Sequence, residues 1–104
     1  MIAGIGTDLV EVARIEAAME NPRFLERLLT PKERDQARGV EWVAGRWAAK
    51  EAAFKCMPSL QSWQEVQVLV RADGAPCIEG PPGKWWVSIT HDAGFALAFV
   101  VLES

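Results

Sequence analysis

Arg46-Trp47-Ala48-Ala49-Lys50-Glu51-Ala52-Ala53-Phe54-Lys55 sets one acid and three bases into an otherwise apolar stretch whose spacing predicts a helix. At roughly 100° per residue, Val43, Trp47 and Phe54 fall on one apolar stripe, and Ala48, Ala49 and Ala52 make a small-residue face. Glu51 falls between the two. Lys55 stands four residues on from it, while Arg46 and Lys50 share another edge. A carboxylate among apolar neighbours is costly unless it is paired or bound to a cation. Two readings follow: a Glu51–Lys55 ion pair on a partly solvated helix, or Glu51 as a metal ligand with Lys55, Lys50 and Arg46 contacting phosphate.

Working outward, Gly39 precedes this helix and Pro58 stops it, which predicts about Glu41 to Met57. Upstream, Thr30-Pro31-Lys32-Glu33 is a capping box with proline at the first helical position, predicting a helix to about Arg38. Phe24 to Leu29 reads as a shorter helical piece. Val10, Ala13, Arg14, Ala17 and Ala18 have helical spacing, ended by Asn21-Pro22. The chain opens on a short strand, Ile2 to Ile5, which Gly4 and Gly6 bring to a tight stop before Thr7-Asp8. After Pro58 the period changes to two. Val66, Val68 and Val70 alternate with polar residues, Asp73-Gly74 turns into Pro76 to Ile78, and Pro81-Pro82-Gly83 breaks the chain again. Trp85 to Thr90 and Phe95 to Leu102 read as strands joined through Asp92-Ala93-Gly94. The expected fold is α+β, with helices in the N-terminal half and an antiparallel sheet in the C-terminal half. It forms one domain, residues 1–104.

Composition narrows the function classes. Half of the 104 residues are apolar and 24% are charged, as in a globular protein with a modest core. No apolar run of membrane-spanning length and no export signal is visible, so the expected location is cytoplasmic. Cys56 and Cys77 lack the spacing of a zinc site or a disulfide framework. A net charge of −3 gives no reason to expect nucleic acid. Gly4-Ile5-Gly6 would need a glycine where Leu9 stands to open a dinucleotide fingerprint, and there is no phosphate-binding P-loop or nucleophile elbow. His91, the one histidine, does not define a site alone.

Gly4-Ile5-Gly6-Thr7-Asp8, Arg14-Ile15-Glu16, Phe24-Leu25-Glu26-Arg27 and Ala44-Gly45-Arg46-Trp47-Ala48-Ala49-Lys50-Glu51-Ala52 resemble the holo-acyl-carrier-protein synthases. These are small 4′-phosphopantetheinyl transferases. Val87-Ser88-Ile89-Thr90-His91 and Phe95 to Glu103 are similar to the family's closing hairpin. The matches cover nearly the whole chain in the family's order.

The resemblance implies the 4′-phosphopantetheinyl transferase fold and its reaction. A serine of an apo acyl carrier protein attacks the β-phosphorus of coenzyme A, takes the phosphopantetheine arm and releases adenosine 3′,5′-bisphosphate, in support of fatty acid biosynthesis. A reacting pyrophosphate calls for a hard divalent cation on oxygen ligands. The match makes the cofactor Mg²⁺, Asp8 and Glu51 its ligands, and Asp8, Glu51 and Lys55 the catalytic set. Lys55 would meet the pyrophosphate, Arg46 and Lys50 would be further coenzyme A contacts, and Thr90 with His91 would lie near the nucleotide. Whether a metal-bound water or one of the carboxylates takes the serine proton stays open. Arg14, with Arg23, Phe24 and Arg27 as an extension, would grip the acidic carrier. The resemblance further implies a homotrimer with sites between subunits, no membrane and no nucleic acid.

Bland roles stand beside these. Asp8 could cap a helix, Arg14 could be a solvated charge, and Trp47 reads as packing. The chain also departs from the family after Lys55. Cys56-Met57-Pro58-Ser59-Leu60-Gln61-Ser62 is several residues shorter than the usual glycine-rich segment that cradles coenzyme A. Beside a Mg²⁺-dependent transferase, a non-catalytic module binding carrier or coenzyme A on the same fold is the alternative.

Overall fold

The computed structural model describes all 104 residues. Strand β1 (Ile2–Glu11) leads into helices α1 (Val12–Ala18), α2 (Pro22–Leu28), α3 (Pro31–Gln36) and α4 (Val40–Cys56). A single 3₁₀ turn, Trp63–Glu65, precedes strands β2 (Gln67–Val70), β3 (Pro76–Glu79), β4 (Lys84–Asp92) and β5 (Phe95–Glu103). The long strands form an antiparallel sheet in the order β1-β5-β4, and β2 and β3 form a separate hairpin. No helix is long and apolar enough to cross a membrane.

The α+β expectation holds, with one correction at the N-terminus. The first strand does not stop at Gly6; it continues to Glu11 and pairs along its length with β5. Its glycines serve close packing. Gly4, Gly6, Asp8 and Val10 alternate onto the face that meets α4. A Cβ on Gly6 would collide with the Ala52 carbonyl, and one on Gly4 with that of Cys56. The expected small-residue face of α4 is the other half of this contact, since Ala48, Ala49, Ala52 and Ala53 are fully buried. Small residues on both surfaces let helix and strand backbones approach closely. Asp8 is thereby carried on a strand rather than at a helix cap.

Local punctuation accounts for most of the other boundaries. Asn21 starts α2 instead of merely ending α1, its Oδ1 accepting the Arg23 amide at 3.0 Å. The capping box at Thr30 and Glu33 forms as expected, although α3 ends at Gln36, two residues early. Helix α4 lies within one residue of its expected span. Ala93 (φ 52°) and Gly94 (φ 82°) make the two-residue turn between β4 and β5, both in the left-handed region that such a hairpin requires.

Charge pairing departs furthest from expectation. Glu51 does not pair with Lys55. Instead, Lys50 and Glu33 form a fully buried ion pair, Nζ to Oε1 at 2.6 Å. Lys50 also donates to the Leu28 carbonyl at 2.6 Å. Glu33 accepts from the Thr30 amide at 2.8 Å and the Val68 amide at 2.7 Å. The pair thus joins α3 and α4 to the end of α2 and to β2. Burial pulls the Lys50 ammonium below its usual pKa, an effect that the Glu33 hydrogen bond and charge oppose. Removing one member strands the other in the interior. Lys50→Met should therefore lower unfolding free energy by about 3–5 kcal/mol in urea melts, and adding Glu33→Gln should recover part of the loss.

Candidate active site

Asp8, Glu51 and Lys55 converge where β1 crosses the C-terminal half of α4. Lys55 reaches over the strand, donating to the Thr7 carbonyl at 2.5 Å and standing 3.7 Å from Asp8 Oδ1. Asp8 Oδ2 is buried with no hydrogen-bond partner, and no other side-chain oxygen or nitrogen in the protein is so placed. Burial raises the Asp8 pKa, Lys55 opposes that shift, and the charge of Glu51 adds to it. Glu51 is half-buried, and its Oε2 accepts the Trp63 indole N–H at 2.9 Å.

Two near carboxylates, one with a bare buried oxygen, fit a hard divalent cation. The donors are oxygens, and no cluster of three or more His, Cys, Asp or Glu residues exists to form a complete protein cage. Such a cation would take its remaining ligands from a bound anion and water, a common arrangement for Mg²⁺ at phosphate sites. Lys55, 57% exposed, supplies a solvent-facing positive charge beside it.

Beside Glu51 opens a cavity of about 530 Å³, lined by Glu26, Arg27, Glu51, Phe54, Gln61, Ser62, Trp63 and Gln64. The short segment after Lys55 forms one wall. It is held by side chains where a glycine-rich loop would use its backbone. Ser62 and Glu65 cap each other's amides, and Gln64 Nε2 donates to the Glu26 and Leu29 carbonyls at 2.5 and 3.1 Å.

A second cavity, of about 700 Å³, contains Arg46 and His91 together with Arg38, Trp42, Pro76 and Ile89. Arg46 is buried, its guanidinium 3.9 Å from the Trp42 ring centroid and its Nε donating to the Val68 carbonyl at 3.4 Å. Burial pulls its pKa down to about 10, so it stays cationic at neutral pH. His91 Nε2 donates to the Glu41 carbonyl at 2.8 Å, which fixes the proton on that nitrogen and leaves Nδ1 available. Gly45 makes room for it, since a Cβ there would press on Ile89 and the imidazole.

The other expected residues divide. Lys50 cannot be a coenzyme A contact, because its ammonium is sealed inside the protein with Glu33; the expectation is corrected to a structural role. Thr90 alternates with His91 along β4 and lies on the opposite sheet face, outside the Arg46 cavity. Arg14, Arg23 and Arg27 are exposed on α1 and α2, and Phe24 is half-buried against the core. Trp47, expected as packing, also carries the Arg14 guanidinium 5.2 Å from its ring centroid. Sequence reading missed Trp42, which stacks on Arg46 one helical turn away, and Trp63, whose indole meets Glu51 from beyond the end of α4. For Trp42 the available signal was its i,i+4 spacing to Arg46, and for Trp63 it was a tryptophan set between Ser62 and Gln64.

The chain matches the family model of the 4′-phosphopantetheinyl transferase superfamily over residues 4–100. A holo-[acyl-carrier-protein] synthase of an Exiguobacterium species is 41% identical, over 99% of this chain and 93% of its own length. Among solved structures, a Bacillus anthracis holo-(acyl-carrier-protein) synthase in complex with CoA (3′,5′-ADP) superposes with a TM-score of 0.90 at 38% identity, covering 100% of this chain and 98% of its own. The Helicobacter pylori holo-[acyl-carrier-protein] synthase in complex with coenzyme A gives 0.87 at 32% identity, covering 95% and 99%.

Asp8 should reveal its burial in the metal-free protein. Its folded pKa lies above the unfolded one, so the ionised form is disfavoured by folding. That penalty is full above the folded pKa and vanishes below the unfolded value of 3.8. Asp8→Asn should therefore melt higher than the parent protein at pH 7, the gap closing as pH falls into the ordinary carboxylate range; parallel thermal melts across pH with a chelator present measure it.

Proposed function

The chain belongs to the 4′-phosphopantetheinyl transferase superfamily and, within it, to the holo-[acyl-carrier-protein] synthases; we propose that it transfers the 4′-phosphopantetheine group of coenzyme A to a serine of an apo acyl carrier protein, in the cytoplasm and in support of fatty acid biosynthesis. The observation that carries the site assignment is the bare buried oxygen of Asp8 beside Glu51 and Lys55. Residues 1–104 act as one transferase domain.

The serine oxygen attacks the β-phosphorus and gives its proton to water or to one of the two carboxylates; the new O–P bond forms as the bond to the bridging oxygen breaks and adenosine 3′,5′-bisphosphate leaves. Asp8 and Glu51 would hold Mg²⁺, which would neutralise charge on the pyrophosphate. Lys55, 3.7 Å from Asp8 Oδ1 and exposed, places its ammonium where the pyrophosphate would lie against the two carboxylates. Arg46 and His91 share one cavity and serve the phosphorylated nucleotide end, Arg46 as a cation held by the Trp42 face. Arg27 lines the cavity that contains Glu51, so the carrier surface formed by Arg14, Arg23, Phe24 and Arg27 leads to the reacting centre. The acidic carrier approaches that surface by charge complementarity.

The working unit is a homotrimer with coenzyme A held between neighbouring subunits. Support comes from the sheet face turned away from α4, where Ile5, Leu9, Trp86, Phe95, Leu97 and Phe99 are all exposed. Apolar surface so contiguous marks an association site. Thr90 lies on that face while its neighbour His91 serves the inner cavity, so β4 can act on both sides.

Intact-mass measurement of an apo carrier after incubation with coenzyme A, Mg²⁺ and the protein should show a phosphopantetheine-sized gain. Asp8→Ala and Glu51→Ala should each slow it by about 10²-fold or more while keeping the fold, because pyrophosphate charge is left uncompensated. Near-native rates in either variant at saturating Mg²⁺ would remove the two-carboxylate site.

The shared site has its own test. Mixing inactive Glu51→Ala and His91→Ala proteins should restore part of the activity after subunit exchange. Absence of complementation despite proven exchange would argue for sites complete within one chain.

A further inference from the structure

The two carboxylates are held differently, Glu51 by a hydrogen bond and Asp8 only by a 3.7 Å ion pair. Asp8 has Oδ1 beside Lys55 and Oδ2 bare; Glu51 has Oε2 on the Trp63 indole, and its Oε1 accepts from no protein donor. A carboxylate pinned by one oxygen loses rotation about its last torsion, so the direction of the other oxygen is preset. The pin is itself fixed. Trp63 sits on a 3₁₀ turn closed by the reciprocal Ser62–Glu65 cap, its ring packs on the core, and the next residue, Gln64, is tied to two carbonyls at the end of α2. Chain rigidity therefore runs from the segment to Glu51.

Resting on the reading of Asp8 and Glu51 as cation ligands, we infer that Trp63 is a positioning residue for the metal site: its indole N–H orients Glu51 so that Oε1 faces the divalent cation. The shortened segment after Lys55 thereby contributes a side chain to the affinity of the site. The same hydrogen bond could merely satisfy a half-buried indole, and a direct measurement of metal affinity separates the two.

Mn²⁺ is the probe, its free concentration read by electron paramagnetic resonance while the protein is titrated with coenzyme A present. Trp63→Phe keeps a ring and loses the donor. It should weaken Mn²⁺ binding about tenfold or more, the scale of lost outer-shell partners, and raise the half-saturating Mg²⁺ for transfer in step, with the KM for carrier unchanged. Trp63→His restores a ring N–H and should recover part of the affinity, which keeps the test readable if phenylalanine loosens the fold. In a Glu51→Gln background Trp63→Phe should add less loss than it causes in the parent protein. Unchanged affinity in Trp63→Phe, or equal loss in both backgrounds, overturns the inference and leaves the two ligands in place. Mn²⁺ bound by Glu51→Gln as tightly as by the parent protein overturns the ligand reading itself.

Discussion

Helix α4 can carry its reactive residues because a buried ion pair, Lys50 with Glu33, holds it in register with its neighbours. The ammonium and carboxylate are 2.6 Å apart with no solvent access, and four elements meet through their hydrogen bonds. Burying two charges is expensive, and only a nearly complete set of partners offsets the cost. Here Glu33 accepts from Thr30, Lys50 and Val68, and Lys50 also caps the Leu28 carbonyl. Such a network tolerates little sliding, so the angular positions of Arg46, Glu51 and Lys55 on the same helix follow from it.

From that helix the chemistry is distributed by angle. The alanine face lies against Gly4 and Gly6 of β1, close enough that the strand brings Asp8 alongside Glu51. The N-terminal half places Arg46 in one cavity with His91, and the C-terminal half brings Glu51 into another with Arg27. One helix therefore lines both cavities. Its cations are divided by burial: Arg46 is buried against Trp42, Lys50 is sealed with Glu33, and Lys55 stays exposed on the Thr7 carbonyl beside Asp8. Burial decides which is which, since all three stand in one short stretch of sequence.

The segment after α4 is ordered by its own side chains. A glycine-rich loop offers backbone amides; this one turns its amides inward to Ser62 and Glu65 and presents the side chains of Trp63 and Gln64 instead. Side chains reach farther than backbone and are more directional, at the cost of conformational adaptability. Leu60 anchors the segment to the core, so it acts as part of the framework of the site.

The α+β order, the long helix, the Thr30 capping box and the closing hairpin were legible in the sequence, because periodicity, caps and turn residues act over a few positions. Asp8, Glu51 and Lys55 stand out through the family resemblance, and the structure brings them together. The partners were not legible. Lys55 has Glu51 one helical turn away yet lies beside Asp8, and Lys50, alike in sequence, vanishes into the interior with Glu33. The strand through Asp8 runs past the point where its glycines suggest an end, because here they admit a helix backbone. Local rules decide which element a residue joins; the partner of a charge depends on which surfaces pack together and how much water they exclude, and that is settled only when segments distant in the chain meet.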